Sequence, residues 1–140
     1  MKRYFKLFLL ILWMALIFYL SNQPASISSN TSNFVSDILF KLFFNQFFNQ
    51  ADFIERYAPF IRKLAHFSEF MILAFLVYIN LKEYKVKNIL RYTFIISALY
   101  AISDEIHQLF VLNRHCSIYD MLIDIAGVIL AILLIHLFKR

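Results

Sequence analysis

The sequence predicts an all-α, polytopic membrane protein with four transmembrane helices and an interfacial helix in the first outer loop. Three observations carry this prediction. Hydrophobic residues make up 61% of the 140-residue chain and aromatic residues 19%, far more than a soluble domain of this length can bury. The apolar residues gather into stretches near the ~20 residues that a bilayer core requires. The 14 Lys and Arg residues, against 9 Asp and Glu, sit between those stretches and form no stripe suited to a nucleic-acid backbone, so the net charge of +5 reads as membrane topology. No nucleic-acid partner is expected.

The first apolar stretch, residues 4–20, follows Met1, Lys2 and Arg3, which is also the pattern of a secretory signal peptide. Its run, with Trp13, Phe18 and Tyr19, is longer and more aromatic than a signal core, and Ser26-Ile27-Ser28 is a poor cleavage site. An uncleaved helix is therefore expected, with Lys6 snorkelling at its end. Residues 21–33, rich in Ser and Asn and holding Pro24, have loop composition. Over residues 34–48 apolar side chains recur at helical spacing, with Asp37, Lys41 and Asn45 on another face. That pattern predicts a helix lying in the membrane surface or, alternatively, one packed across the outer ends of the bundle. Pro59 marks the approach to the second span. The remaining spans fall at about residues 62–81, 90–112 and 118–138, and backbone groups in lipid must pair internally, which makes them helices. One transmembrane domain covers residues 1–140.

Orientation follows from the basic residues. With the N-terminus inside, Lys2, Arg3, Lys6, Lys82, Lys85, Lys87, Arg91, Lys139 and Arg140 fall in short cytoplasmic segments. Lys41, Arg56, Arg62, Lys63 and Arg114 are then spread through longer external sequence beside Asp37, Asp52 and Glu55. The expected location is the cell membrane, with N- and C-termini cytoplasmic. Cys116 is the only cysteine, which excludes an intramolecular disulfide. With one Gly and two Pro, the chain lacks the GxxxG motif, and close backbone crossing is not the obvious packing mode.

The polar residues inside the spans form the candidate site. At about 100° per residue, Arg62, His66 and Glu69 share one face of the second span. Tyr100, Asp104, His107 and Gln108 share a face of the third, with Glu105 offset sideways, and Ser117, Asp120, Asp124 and Gly127 form a stripe on the fourth. The single Gly on that stripe implies a close approach at that point. At 1.5 Å per residue, Glu69, Asp104 and Asp124 each lie roughly 10 Å in from the outer end of their helix. A charge at the centre of a span costs on the order of 2.5 to 3.5 kcal/mol, so acids at this level should face the bundle and pair. His66, His107, Arg62, Lys63 and Arg114 are the candidate partners. Pairs that merely lock helices together are the bland alternative, but seven acids and imidazoles (His66, Glu69, Asp104, Glu105, His107, Asp120 and Asp124) resemble a lined cavity more than a clasp.

No cofactor is expected. A metal is not favoured, because Glu105-Ile106-His107 is not the HExxH of a helix-borne zinc site and no second His stands four residues from His107. Ser68, Ser97, Ser103 and Ser117 lie near the cluster, although hydroxyls in such helices usually bond their own backbone or a neighbouring helix. His115, Tyr119 and His136 read as interfacial residues.

Several of these motifs together resemble those of VanZ-like bacterial membrane proteins. The matching pieces are Ser21-Asn22-Gln23, RKLAHFSEF at residues 62–70, SDEIHQLF at residues 103–110, and Arg114 followed by Ser117, Asp120, Asp124 and Gly127. They cover nearly the whole chain in the expected order. The sequence departs from the family pattern at Leu112-Asn113, where Pro-Gly is expected, and at Ala131, where a second Gly is frequent; both bear on turn geometry and packing of the last helix. The resemblance implies a family named for low-level resistance to the glycopeptide teicoplanin, without a defined mechanism.

The expected function is a cell-envelope protein whose outward-facing polar pocket binds an amphiphile with an anionic head group. Membrane lipid, a lipid-linked cell-wall precursor or a glycopeptide are the candidate partners. Arg62, Lys63, Gln108, Arg114 and Ser117 would bind the ligand, and the acids and imidazoles would bind or act on it. Two alternatives stay open. One is an intramembrane hydrolase or transferase acting by acid/base or metal chemistry on a lipid-linked substrate. The other is a structural or transporter subunit, which would need an oligomer to form a conduit.

Overall fold

A computed structural model describes residues 3–138 as helices joined by short turns, with no strand among the described residues. Met1, Lys2, Lys139 and Arg140, part of the flanking sequence used for orientation, lie outside the described residues. The helices are α1 (Arg3–Ser21), α2 (Ala25–Leu39), α3 (Gln50–Glu83), α4 (Ile89–Gln108) and α5 (Ile118–Phe138), with a π-helical segment, Phe40–Phe44, continuing α2.

Three boundaries differ from the sequence reading, each for a physical reason. The Ser- and Asn-rich stretch expected as a loop is most of α2. Its hydroxyls bond carbonyls one turn back, Thr31 to Ile27 at 3.0 Å, Ser32 to Ser28 at 3.0 Å and Ser36 to Ser32 at 2.7 Å, so the polarity that usually breaks a helix is absorbed within it. Ser32 and Ser36 are buried in the packing of α2 on α3, where small side chains permit close contact and tertiary packing overrides propensity. The second difference is α3, which starts at Gln50 rather than near residue 62. The Asn49 side chain caps it by accepting the Ala51 amide at 3.0 Å, and Pro59 lies inside the helix rather than at its border. Ahead of Pro59, the buried ring of Phe53 anchors this extension in a cluster with Phe40, Phe44, Phe48 and Tyr57. Finally, α4 ends at Gln108, and residues 109–112 form a turn.

Helices α1, α3 and α5 are long and apolar enough to cross a membrane. Helix α4 is not among them, because Arg91, Asp104 and Glu105 interrupt its 20 residues. Helix α3 is the hub: it packs on every other helix, most extensively on α5. Ile17, Phe70, Leu73, Ala74, Val77, Ala101, Val128 and Ala131 form the core where α1, α3, α4 and α5 meet. A methyl group added to Gly127 would overlap the Phe67 backbone carbonyl, so the close approach expected at this glycine is the α3–α5 crossing. Buried Ala131 continues that contact one turn on.

Polar bonds fasten α1 to α3 and α4. The Trp13 indole donates to the Glu69 carbonyl at 3.0 Å, the Tyr100 hydroxyl to the Met14 carbonyl at 2.8 Å, and the Asn80 amide to the Lys6 carbonyl at 3.1 Å. Lys6 also pairs with Glu83, which fixes the start of α1 beside the end of α3.

Candidate functional site

At the opposite end of the bundle from Lys6 and Glu83, the N-terminus of α2, the middle of α3, the C-terminus of α4 and the N-terminus of α5 surround a cavity of about 310 Å³. Arg62, Lys63 and His66 reach it from α3, Glu105 and Gln108 from α4, and Arg114, Ser117 and Asp120 from the α4–α5 connection and α5. An adjoining cavity of about 160 Å³, between the end of α1, α2 and α3, shares Ser28, Arg62, His66 and Arg114 with the first and adds Glu69.

The cations are held in different ways. Arg114 Nε donates to the Gln23 carbonyl at 2.9 Å and Nη2 to the Leu20 carbonyl at 3.4 Å, so the turn after α1 seats the guanidinium. Burial pulls the pKa of Arg114 below its usual value, opposed by the carboxylate of Asp104. Arg62 Nη1 donates to the Ser29 hydroxyl at 3.4 Å. Neither guanidinium makes an ion pair with a carboxylate among the described residues. Lys63 differs, with its Nζ 3.5 Å from Asp120 Oδ1.

The acids are also unequal. Glu105, 1% exposed, accepts the Ser117 amide at 2.9 Å and so pins the start of α5, while the Ser117 hydroxyl accepts the Asp120 amide at 3.3 Å as an N-cap. Asp104 is buried behind the cavity wall and accepts from the Gln108 side chain at 3.1 Å. Asp124 is fully buried, and neither carboxylate oxygen has a hydrogen-bond partner. His66 Nδ1 stands 4.0 Å from Asp124 Oδ1 and 4.0 Å from Glu69 Oε2. That separation is too long for a direct hydrogen bond. No group of three or more His, Cys, Asp or Glu side chains among the described residues is arranged to hold a metal ion.

Asp104, Asp124 and His107 line neither cavity, and His107 is also turned away from the other acids and imidazoles. Its Nε2 lies 3.3 Å from the Asn22 side chain, and its ring packs on Phe18 with centroids 4.6 Å apart, so it joins α4 to α1 rather than facing either cavity. Glu105 was expected to look sideways, yet it lines the main cavity, whereas Asp104 on the expected stripe sits behind it. Helix α5 causes this by approaching α4 from the Glu105 side.

Compared with protein families, the chain is matched by the profile described as VanZ/LLP1 over residues 5–139, nearly its whole length. The chain belongs to the VanZ/LLP1 family. No curated protein and no solved structure matches it.

The polar motifs of this VanZ/LLP1 chain have distinct structural jobs. Ser21-Asn22-Gln23 supplies the Asn22 contact to His107 and the Gln23 carbonyl that seats Arg114. Asn113 in the α4–α5 connection adopts φ 57°, the left-handed conformation that Asn tolerates better than most residues. Ser68 and Ser103 bond carbonyls of their own helices, Leu64 at 2.7 Å and Tyr100 at 2.8 Å.

Part of the site wall is not marked by the sequence pattern. Ala25 and Ser28 of α2, Asn113 and His115 all line the main cavity. By its sequence position alone, His115 reads as an interfacial residue. For α2 there was a usable signal, since Ser28, Ser32 and Ser36 repeat at four-residue spacing and mark a small-residue helix face. His115 sits in an irregular turn, where periodicity says nothing about direction.

Proposed function

We propose that this VanZ/LLP1 protein crosses the cell membrane four times with both termini in the cytoplasm, and that its cavity faces outward and takes the anionic head group of an amphiphile. The observation that carries this reading is the pair of guanidiniums, Arg62 and Arg114, lining one cavity with no carboxylate ion pair among the described residues. Fork-shaped donors held in place by backbone and hydroxyl groups suit a phosphate or carboxylate, which can accept two parallel bonds from each.

Helix α4 supplies the fourth crossing. It packs on α3 and α5, buries Asp104, Glu105 and Gln108 inward, and turns Ile95, Ile96, Leu99 and Ile106 outward, so its charges face protein and its apolar face meets lipid. Helix α3 has 34 residues, which at 1.5 Å each gives roughly 50 Å against a hydrocarbon core of ~30 Å. Its first turns therefore stand beyond the core on the cavity side, with α2 alongside as an interfacial element. Lys6, Lys82, Lys85, Lys87 and Arg91 cluster at the other end, which supports a cytoplasmic assignment for that end.

Binding of dodecyl phosphate to the protein in non-ionic detergent tests the reading. Loss of the charge-assisted bonds, about 1.5 to 3 kcal/mol each, should weaken binding tenfold or more in Arg62→Gln and Arg114→Gln, while dodecyltrimethylammonium should not bind. Unchanged affinity in the double variant would overturn it. If lipid-linked wall precursors or lipid-tailed glycopeptides are the ligands, the same variants should lose any teicoplanin resistance while protein levels hold.

A second reading, an acid/base enzyme acting on a bound lipid-linked substrate, is favoured by one feature: His66 between Glu69 and Asp124. A proton taken by the imidazole would be stabilised by either carboxylate. Turnover lost in His66→Gln while dodecyl phosphate binding persists would select this reading over simple binding.

A further inference from the structure

The two cavities share four wall residues but differ in what else surrounds them. The main cavity is lined mostly by charged and polar groups, with Ala25 and Ile123 among them, whereas the smaller one adds Leu20, Val35, Ile61 and Ala65, together with one acid, Glu69, to the shared Arg62 and Arg114. Val35 and Ala65 lie on the exposed surface of α2 and α3, so this second space opens sideways between those helices, at the outer lipid interface on the four-span reading. Arg62 and Arg114 stand at the junction, where one side is polar and the other increasingly apolar.

We propose that the smaller cavity is a lateral doorway, through which a single aliphatic chain of the bound amphiphile runs out between α2 and α3 while its anionic group stays against Arg62 and Arg114. This rests on the head-group reading above and goes beyond it by naming the ligand as an anionic amphiphile with one chain, entering from the side rather than from water. Charge and apolarity change in the order such a molecule needs. An anion at the shared wall faces the Arg62 and Arg114 guanidiniums, and the next atoms along its chain meet Leu20, Ile61, Ala65 and Val35. The doorway's width comes from α2, whose small Ser28, Thr31 and Ser32 side chains face it where larger residues would close the gap.

Two phosphates that differ only in chain length separate this inference from the reading it rests on. Dodecyl phosphate and butyl phosphate are titrated into the full-length protein in non-ionic detergent, with wild type compared against Val35→Trp, Ala65→Phe and Arg62→Gln. Folding of each variant is checked by its elution volume and thermal unfolding. The doorway predicts that wild type binds dodecyl phosphate at least tenfold more tightly than butyl phosphate, and that Val35→Trp or Ala65→Phe removes this advantage without changing butyl phosphate affinity. Arg62→Gln should weaken both. If blocking the gap leaves the chain-length advantage intact, or if both phosphates bind equally in wild type, the doorway is wrong and the head-group site stands. If neither phosphate binds, the head-group reading fails and the doorway with it. A photoreactive diazirine at the chain end of dodecyl phosphate should label residues around Val35 and Ala65; labelling spread over the outward face of α4, at Leu99 or Ile106, would also overturn the proposal.

Discussion

Glu105 is 1% exposed, and its Oε2 accepts the Ser117 amide ahead of the first turn of α5. Its role in the fold is that of an acceptor, which an uncharged amide can also fill. Glu105→Gln should therefore unfold in detergent near the wild-type temperature, whereas Glu105→Ala leaves that amide unpaired and should cost about 1 to 3 kcal/mol. Equal losses in the two variants would show that charge, not acceptance, matters there. Gly127 makes a different demand. Because the obstacle is the backbone of Phe67 rather than a flexible side chain, Gly127→Ala must push α3 and α5 apart. Thermal or denaturant unfolding should record a loss of about 1 to 3 kcal/mol, and an unaltered midpoint would mean the crossing is looser than described.

Among the elements, α2 is tied to the start of α3 by one acid in addition to its packing. Asp37 accepts from Lys41 at 2.6 Å within the helix and from the Gln50 side chain, the first residue of α3, at 2.5 Å. The hydrogen bond from Lys41 is the main reason its pKa lies below the ordinary carboxylate value. A lowered folded-state pKa means the contact's contribution is complete above the ordinary value and vanishes as pH falls through the lowered one. Amide exchange over residues 45–50, followed from neutral pH down through the carboxylate range and corrected for intrinsic rates, should therefore show loosening only at acidic pH. Asp37→Asn should remove that acid-dependent step. A step that persists in Asp37→Asn would assign it to another group.

The whole molecule is arranged inside out. Its core is a few side chains around Phe70, Leu73 and Ala74, while Phe110, Phe138 and Tyr119 are 82%, 87% and 78% exposed, as suits a surface that meets lipid and its interface rather than water. Lipid exerts no hydrophobic drive between helices, which leaves close packing at Gly127 and polar bonds such as Trp13 to Glu69 to hold the bundle. The topology has a direct assay in the single cysteine. Cys116, partly exposed in the α4–α5 connection, should react with a charged maleimide added to intact cells. In a Cys116→Ser background, Lys85→Cys in the α3–α4 turn should react only after permeabilisation. The reverse pattern would place the cavity on the cytoplasmic side.

Helical class and three of the four expected membrane-length apolar stretches were legible in the sequence, because hydrophobic content and the 3.6-residue period are local properties that survive without coordinates. So were most of the residues that meet at the site: Arg62 and His66 share a face by simple angular arithmetic, as do Ser117, Asp120 and Asp124. Only the tertiary structure decided that the Ser-rich segment is a helix against α3, that α3 continues through Pro59, that Glu105 reaches the cavity, and that His107 turns away to Asn22 and Phe18. Each of those outcomes depends on which neighbour arrives at a given face. Periodicity fixes directions within one helix, but it carries no information about the helix that packs beside it.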